Sequence, residues 1–377
     1  MKNPGNIVNS IEIDSYDPEK LRSSLRHLLE PLGGIRRFVK PGMRVLIKPN
    51  LLSARTPERA VTTHPGLIEA AAAECKAIGA DVLIGDSPGG IEKGLRRVWN
   101  NTGMTEAAER SSASLVGFET SKVRNINLDG RTFHISNYAF DVDFIISLPK
   151  LKTHVLTNYT GAVKNSFGFI PGLRKSDYHK RYPDARSFSE IVVEIHSLVR
   201  PGLFIMDAGL VMEGEGPASG DPRWLGYLFA ATDAVAMDSA AVSILGRKKI
   251  RVWTTELASE KMLGTADLDS LDLLGPAFSN GRIDDFKFPS NAYLNFIPLF
   301  LLKGLEPYLW VRPAVNRQSC TLCGVCVDSC PQNVISRVGD ILSFDYDECI
   351  KCMCCHELCP HNAIFLERSR LAGMIGR

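Results

Sequence analysis

Cysteine is concentrated near one end of this 377-residue chain, where nine of its ten cysteines lie between positions 320 and 359. Eight of the nine form two copies of one pattern, Cys-x2-Cys-x2-Cys-x3-Cys-Pro. The copies consist of Cys320, Cys323, Cys326 and Cys330, and of Cys349, Cys352, Cys355 and Cys359. The similarity continues beyond the thiols, because Pro-Gln-Asn-Val-Ile at 331–335 is echoed by Pro-His-Asn-Ala-Ile at 360–364. Two such repeats predict a small module with pseudo-twofold symmetry that closes around metal.

Bacterial ferredoxins use this spacing to hold [4Fe–4S] clusters, and the fourth thiolate of each run binds the other cluster. We therefore expect two [4Fe–4S] clusters as cofactors, in a small α+β ferredoxin-like domain over residues 313–368. The expected ligand sets are Cys320, Cys323, Cys326 and Cys359 for one cluster, and Cys349, Cys352, Cys355 and Cys330 for the other. The sequence thus predicts a protein that transfers electrons.

Other uses of these cysteines fit less well. A disulfide framework belongs to small domains of oxidising compartments, whereas the first 319 residues of this chain hold a single cysteine. Structural zinc sites use four ligands, typically in separated pairs. A radical-SAM site would need a Cys-x3-Cys-x2-Cys triad, which the sequence lacks.

Two cysteines lie outside the repeated pattern. Cys354 is expected to be a half-buried small side chain near a cluster, the alternatives being an extra ligand or a redox-reactive thiol. Cys75 shares a helical face with apolar neighbours and is expected in the core.

Length and composition indicate an ordinary globular protein of two or three domains. The net charge of +2 and the pI near 8.0 give no reason to expect nucleic acid as a partner. Because no apolar export segment follows Met1 and such clusters are oxygen-sensitive, we expect a cytoplasmic protein. The uncharged stretch Phe288–Leu302 is too short to span a membrane, so membrane contact is not expected and an apolar linker is preferred.

The first 250 residues show alternating strand and helix patterns, which predict an open, largely parallel α/β sheet with flanking helices. Residues 1–312 are expected to form this α/β domain, with 246–312 as a peripheral or linking segment that contains one helix over Leu257–Asp272. The expected strands and helices of the main part are Met43–Lys48, Pro65–Ile78, Asp81–Gly85, Glu92–Asn101, Ser114–Phe118, Thr132–Ser136, Asp143–Leu148, Ser187–Val199, Leu203–Met206, Tyr227–Ala230 and Asp233–Leu245.

Glycine, proline and ionisable residues follow five of the predicted strands. In an open parallel sheet the carboxyl ends of the strands share one edge, where ligands bind. The connection Leu148–Arg186 is the longest and is treated as a functional loop. The predicted binding residues for an anionic small molecule are Lys48, Asp86, Lys150, Lys152, Lys164 and Asn165. A solvated basic loop is the alternative interpretation.

Two residues are candidates for acid–base chemistry. His154 follows the strand ending at Leu148 and would exchange protons near neutral pH, although a structural hydrogen bond is an equal alternative. Glu213 is expected on an exposed, mobile loop with Glu215, where either carboxylate would act as an acid or base or simply be solvated.

Five segments together resemble the family called "domain of unknown function 362". They are Ile47–Asn50, Gly85–Pro88, Leu148–His154, Thr160–Asn165 and Met212–Pro217. Members of that family often carry a C-terminal pair of [4Fe–4S] motifs. The resemblance implies no catalytic residues, because the family's reaction is not generally known.

The leading hypothesis is an iron–sulfur oxidoreductase. It would pass electrons between a soluble donor or acceptor protein and an anionic small molecule at the sheet edge, directly or through a further cofactor such as flavin. The alternatives are a non-catalytic electron-transfer adapter that docks a partner redox enzyme, and structural or sensory clusters beside a site for a phosphorylated ligand.

Overall fold

The computed structural model describes residues 6–88, 94–172, 174–246, 250–292, 308 and 310–375. Within these ranges the chain forms an α/β body and then a small cysteine-rich module. Most of the predicted linker Phe288–Leu302, and the start of the predicted helix Glu92–Asn101, lie outside the described residues.

The strands, in chain order, are β1 (Ile7–Glu12), β2 (Arg44–Pro49), β3 (Asp81–Asp86), β4 (Ser114–Gly117), β5 (Val123–Leu128), β6 (Arg131–Ser136), β7 (Phe144–Leu148), β8 (Lys150–His154), β9 (Asn158–Thr160), β10 (Leu203–Glu213), β11 (Asp221–Ala231), β12 (Asp272–Leu274), β13 (Val311–Val315), β14 (Ile335–Val338), β15 (Ile341–Phe344) and β16 (Ile364–Arg368).

The α-helices are α1 (Pro18–Leu29), α2 (Ile35–Phe38), α3 (Pro65–Ile78), α4 (Leu95–Asn101), α5 (Met104–Arg110), α6 (Ala162–Asn165), α7 (Arg174–Arg181), α8 (Ala185–Val199), α9 (Ala234–Ser243), α10 (Trp253–Glu260), α11 (Pro276–Ser279), α12 (Val325–Asp328), α13 (Cys354–Leu358) and α14 (Arg370–Ile375).

The body is built on a ten-stranded mixed sheet. Eight of its strands run in the order β12-β1-β11-β10-β7-β2-β3-β4, and β8 and β9 extend it beside β10. The neighbours from β10 to β4 are parallel, whereas β11 is antiparallel to both β10 and β1. Helices cover both faces, with one apolar layer around α1 and α3 and the other around α8, α9 and α10. The prediction of an α/β fold with a largely parallel sheet and flanking helices is therefore confirmed.

Helix α3 shows how local sequence sets an element. Pro65 occupies the first turn, where its missing N–H costs no hydrogen bond, and the His64 side chain accepts the Gly66 N–H. Gly79 ends the helix with a φ of 95°, a conformation that glycine adopts without steric cost. Cys75 is fully buried on this helix, as expected from its apolar neighbours.

The connection Leu148–Arg186, predicted as a loop, is largely regular structure. Its first residues form β8, which pairs with β10 on one side and β9 on the other, and α6 and α7 follow. All five residues of β8 are buried despite two lysines and a histidine. The polar composition was interpreted as a ligand-binding loop, with a solvated basic loop as the alternative, but Lys150 and Lys152 are buried and held by partners from elsewhere in the fold.

Two other expectations are corrected. Leu257–Asp272 is not one helix, because α10 ends at Glu260 and the chain then enters β12, which adds to the sheet beside β1. Glu213 does not lie on an exposed loop: β10 is far longer than predicted, and Glu213 is its buried last residue.

The cysteine-rich module begins near the predicted boundary at residue 313. Strand β13 pairs antiparallel with β16, and β14 with β15, while α12 and α13 lie between them in the chain. Its small core combines cysteines with Ile335, Leu342, Ala363 and Ile364. Within the described residues, no helix has the length and apolar character needed to cross a bilayer.

Candidate functional site

A cavity lies where the carboxyl ends of β2 and β3 meet the cysteine-rich module. It is partly open to solvent. The body contributes residues after β2, β3 and β9, and the module contributes Ser329, Cys354, Glu357 and Leu358. The site is therefore shared by both parts of the chain.

The floor of the cavity is fixed by a buried ion pair. Lys48 Nζ lies 2.9 Å from Asp86 Oδ1 and donates to Asn165 Oδ1 at 3.1 Å. The other Asp86 oxygen accepts the Leu51 N–H at 2.8 Å. Burial lowers the pKa of Lys48 against the opposing effect of Asp86. Both charges thus neutralise each other inside the protein, and Lys48 does not line the cavity.

Gly168 permits this arrangement. A Cβ atom at this position would lie 2.1 Å from Asp86 Oδ1 and 2.5 Å from Lys48 Nζ. Since no side chain tolerates such distances, the close approach of backbone to ion pair requires glycine.

Lys150 takes part in a second buried network away from the cavity. Its ammonium lies 2.7 Å from Asp207 Oδ2, and the same carboxylate accepts the Tyr16 hydroxyl and the His64 N–H. The Tyr16 and His64 rings stack with centroids 3.7 Å apart. Lys150 was predicted to bind substrate, but the structure pairs it with Asp207 and places it outside the cavity lining.

Lys152 and Lys164, the other two predicted lysines, lie in different surroundings. Lys152 is fully buried, donates to the Val61 carbonyl at 2.6 Å, and has a pKa that burial holds well below its ordinary value. Lys164, on α6, lines the cavity, and its ammonium lies 5.9 Å from the centre of the Phe188 ring. Burial also lowers the pKa of Lys164. Of the four predicted lysines, the structure places only Lys164 in the cavity wall.

His154 lies behind the cavity wall. Its Nδ1 accepts the Leu156 N–H at 3.1 Å, so the neutral ring carries its proton on Nε2. That atom lies 3.2 Å from Glu357 Oε1, without the angle of a hydrogen bond. Burial lowers the pKa of His154 well below its ordinary value. The ring is therefore neutral at physiological pH and faces a carboxyl group of the module.

Glu213 is remote from the cavity. Its carboxylate lies 3.2 Å from Arg223 and accepts the Lys287 N–H at 3.1 Å. The predicted acid–base role of Glu213 has no support in this geometry, because its oxygens are already bound at the far end of β10.

Sequence reasoning missed several cavity residues. Glu357 is buried, and its burial raises its pKa to about 7 against the effect of Lys164 and Lys152. It falls among the three residues between Cys355 and Cys359, where the repeated cysteine pattern places no constraint on residue type. Thr160, Lys175 and His179 also line the cavity. Lys175 and His179 belong to the basic run after Gly172, but that run gave no reason to prefer these two.

Four thiols surround a second, smaller cavity within the module. Cys330, Cys349, Cys352 and Cys355 all line it. Cys330 comes from the first repeat and the other three from the second. A [4Fe–4S] cluster takes one thiolate on each iron, so this set of donors fits such a cluster. Among the described residues, no three His, Cys, Asp or Glu side chains meet closely enough to hold a single metal ion.

The other thiols group around Cys326. Burial, with Cys359 and Cys323 nearby, raises the pKa of Cys326 to about 11. Cys320 packs against the same small core, and Cys323 is exposed to solvent. This group therefore reaches the protein surface, whereas Cys352 and Cys355 of the other group are buried.

Direct contacts hold the module against the body. Arg55 donates to the Cys359 carbonyl and to Asn362 Oδ1, both at 2.5 Å. Arg368 lies 2.6 Å from Glu215 Oε1. Cys354 is buried on α13 and faces the shared cavity, consistent with the expected small buried side chain and more buried than expected.

Comparison with known proteins gives two family matches. Residues 45–243 match the domain of unknown function DUF362, and residues 312–360 match a 4Fe-4S dicluster domain. The thylakoid-associated protein sll1697 of Synechocystis is 37% identical over 258 residues, which are 68% of this chain and 79% of that protein.

Solved structures are more distant. The lactate racemase apoprotein of Thermoanaerobacterium thermosaccharolyticum aligns over 62% of this chain and 57% of its own, at 10% identity and a TM-score of 0.39. A Thermotoga maritima protein aligns over 66% and 60%, at 13% identity and a TM-score of 0.38. This chain thus spans less than two thirds of either structure. The chain belongs to the DUF362 family and, through its 4Fe-4S dicluster domain, is an iron–sulfur protein.

Proposed function

We propose that the protein is an oxidoreductase with two [4Fe–4S] clusters that passes electrons to an anionic small molecule bound in the shared cavity. The observation that carries this proposal is the position of α13. Cys354 and Glu357 of this short helix line the cavity, and Cys355 of the same helix belongs to a thiol quartet. A molecule in the cavity would therefore lie beside a cluster.

The eight thiols fall into two sets of four, and each set suits one cluster. The proposed ligands are Cys320, Cys323, Cys326 and Cys359 for one, and Cys330, Cys349, Cys352 and Cys355 for the other. Bound there, the clusters supply one-electron transfer. The exposure of Cys323 supports electron entry at the first cluster from a soluble protein partner.

The side chains of the cavity would bind the ligand and supply protons. Lys164 provides positive charge at the wall. Glu357 lines the cavity, and His154 Nε2 lies 3.2 Å behind its carboxyl group. Under this proposal, these two side chains would carry protons to a reduced ligand. Glu213, the other acid–base candidate, does not line this cavity and is bound by Arg223.

We also propose that the protein is located in the cytoplasm. All ten cysteines are free of disulfides, which suits a reducing compartment. The relative is called thylakoid-associated, and association with a membrane surface would be compatible with a cytoplasmic protein.

Anaerobic purification followed by a reoxidation assay tests the function. We expect about eight iron atoms per chain with matching sulfide, and a small anion that co-purifies and is identified by mass spectrometry. Protein reduced with dithionite should be reoxidised by that molecule, as followed by cluster absorbance. Lys164→Gln should slow this step at least tenfold without loss of iron. Lys122→Gln, at an exposed position, is the matched control.

The adapter hypothesis predicts the opposite result. No small molecule would co-purify, and the reduced clusters would be reoxidised only by a protein partner. An iron content near four per chain would remove the second cluster from the proposal.

A further inference from the structure

Four buried polar atoms of the cavity lining have no hydrogen-bond partner among the described residues. They are Asn50 Oδ1, Thr160 Oγ1, His179 Nδ1 and Glu357 Oε1. Thr160, His179 and Glu357 are more than nine-tenths buried. Buried polar groups are rarely left without hydrogen bonds. Their convergence on one cavity indicates that a ligand supplies the missing partners.

One ammonium group of the lining makes no hydrogen bond with the described residues. It belongs to Lys164, which contacts the Phe188 ring and is attracted by the Glu357 carboxyl group. Lys175, the other lysine in the lining, donates to the Ser87 carbonyl. Lys164 is therefore the ammonium group with all its hydrogen-bond donors available to an anionic ligand.

Three main-chain amides at or near the cavity are already bonded. The Ala162 and Val163 N–H groups, in the first turn of α6, donate to the Asp238 carboxylate at 2.6 and 3.0 Å. The Leu51 N–H donates to Asp86. Phosphate sites typically use several free amides of this kind. These three amides are therefore not free to bind a phosphate.

Most of the accessible surface of the cavity lining is apolar. Leu51, Leu52, Phe167 and Leu358 contribute to it, and Gly168 and Gly172 add no side chain. Sites of this composition bury the apolar part of a ligand and fix its orientation with a few polar groups.

We propose that the cavity binds a monocarboxylate with an apolar body, in preference to a phosphate ester. The carboxylate would contact Lys164 and Thr160, and the apolar part would lie against Leu52 and Leu358, beside Cys354. This inference rests on the proposed function and specifies its substrate class.

Binding of a matched probe series tests the ligand class. Anaerobically purified protein is titrated by calorimetry with benzoate, benzamide, phenyl phosphate and hexanoate. We expect benzoate or hexanoate to bind, benzamide to bind at least tenfold more weakly than benzoate, and phenyl phosphate to bind no better than benzamide. Lys164→Gln should weaken carboxylate binding at least tenfold and leave benzamide binding unchanged. Lys164→Arg should retain most of the affinity for carboxylates.

Thr160→Val is a second variant that removes a polar partner with little change of shape. It should weaken benzoate binding while the iron content and circular dichroism stay as in the wild type. Tighter binding of phenyl phosphate than of benzoate, or no binding of either carboxylate, would overturn the inference.

The same samples separate this inference from the proposed function. If carboxylates bind but none ever reoxidises the reduced clusters, the ligand class stands and the oxidoreductase proposal fails. If a phosphorylated molecule binds and reoxidises the clusters, the oxidoreductase proposal stands and the ligand class is wrong.

Discussion

Buried histidines link the stability of the body to pH. His196 is 6% exposed and contacts Ser166 Oγ through Nδ1 at 2.9 Å, and burial lowers its pKa to about 4. In the unfolded chain the His196 ring takes up a proton near pH 6.5, whereas in the folded protein it stays neutral down to about pH 4. The contribution of the neutral ring to stability is therefore fully present above pH 6.5 and is lost as the pH falls towards 4. This group alone should cost about 1 kcal/mol between about pH 7 and pH 5.5.

The variant His196→Asn isolates this effect. Between about pH 7 and pH 5.5, the free energy of unfolding of this variant should fall by about 1 kcal/mol less than that of the wild type, as measured by urea unfolding at each pH. His27 is exposed on α1, so His27→Asn should follow the wild type. Equal pH slopes for all three proteins would show that His196 is not neutral in the fold.

The two ends of β3 allow a comparison of a buried and an exposed ion pair. Asp86 pairs with Lys48 in full burial, whereas Asp81 pairs with Arg44 with about half of each side chain exposed. Removing one partner of a buried pair leaves the other charge uncompensated. We expect Asp86→Asn to lower the free energy of unfolding by about 3 kcal/mol and Asp81→Asn by less than about 1 kcal/mol. Similar losses in denaturant unfolding would contradict the structural role of the Lys48–Asp86 pair.

The sequence could identify charged residues near the sheet edge but not their partners. Lys48 and Lys150 were predicted to bind an anion, and each instead neutralises an aspartate more than 30 positions away. Which aspartate a lysine pairs with depends on the tertiary fold. The residue type and its position after a strand do not predict that partner. Spacing alone did predict the grouping of Cys330 with the second repeat, because each ferredoxin-type motif carries its own geometric rule.

At the scale of elements, the segment between β9 and α7 depends on a glycine. Gly168→Ala would push a methyl group into the Lys48–Asp86 pair, and overpacking of this kind typically costs about 1–3 kcal/mol. We therefore expect a loss of about 2 kcal/mol or more in unfolding free energy, together with weaker ligand binding. Gly94, where a Cβ meets nothing within 4 Å and φ is −88°, is the control. Gly94→Ala should change stability by less than about 1 kcal/mol. Equal effects would mean that the cavity floor is not tightly packed.

Element prediction succeeded where local signals are strong. Helix α3 has the predicted bounds because proline, apolar periodicity and glycine all mark it. Strand β8 was missed, because Lys150, Lys152 and His154 were interpreted as residues of a ligand-binding loop, whereas in the structure they are buried in the sheet. The extension of β10 to Glu213 was also missed, since it follows from pairing with β11 rather than from its own pattern.

At the scale of the whole molecule, alternation of strands and helices was enough to predict the sheet, but not the shared cavity. The cavity needs the module to lie over the carboxyl ends of β2 and β3, and contacts between residues about 300 positions apart fix that placement. No local pattern records such contacts. For this reason Glu357 and Cys354 emerged as site residues only in the structure.

Arg55 should therefore control ligand chemistry from outside the cavity. It does not line the cavity but binds the Cys359 carbonyl and Asn362 of the module. In Arg55→Gln the module loses these bonds, so we expect faster hydrogen exchange in α13 and at least a several-fold slower reoxidation of reduced clusters by a bound carboxylate. The iron content should stay constant, because no thiol is touched. Arg97→Gln, at an exposed site on α4, should behave as the wild type. If Arg55→Gln leaves both exchange and reoxidation unchanged, the cavity does not depend on a fixed module, and electron delivery must follow another route.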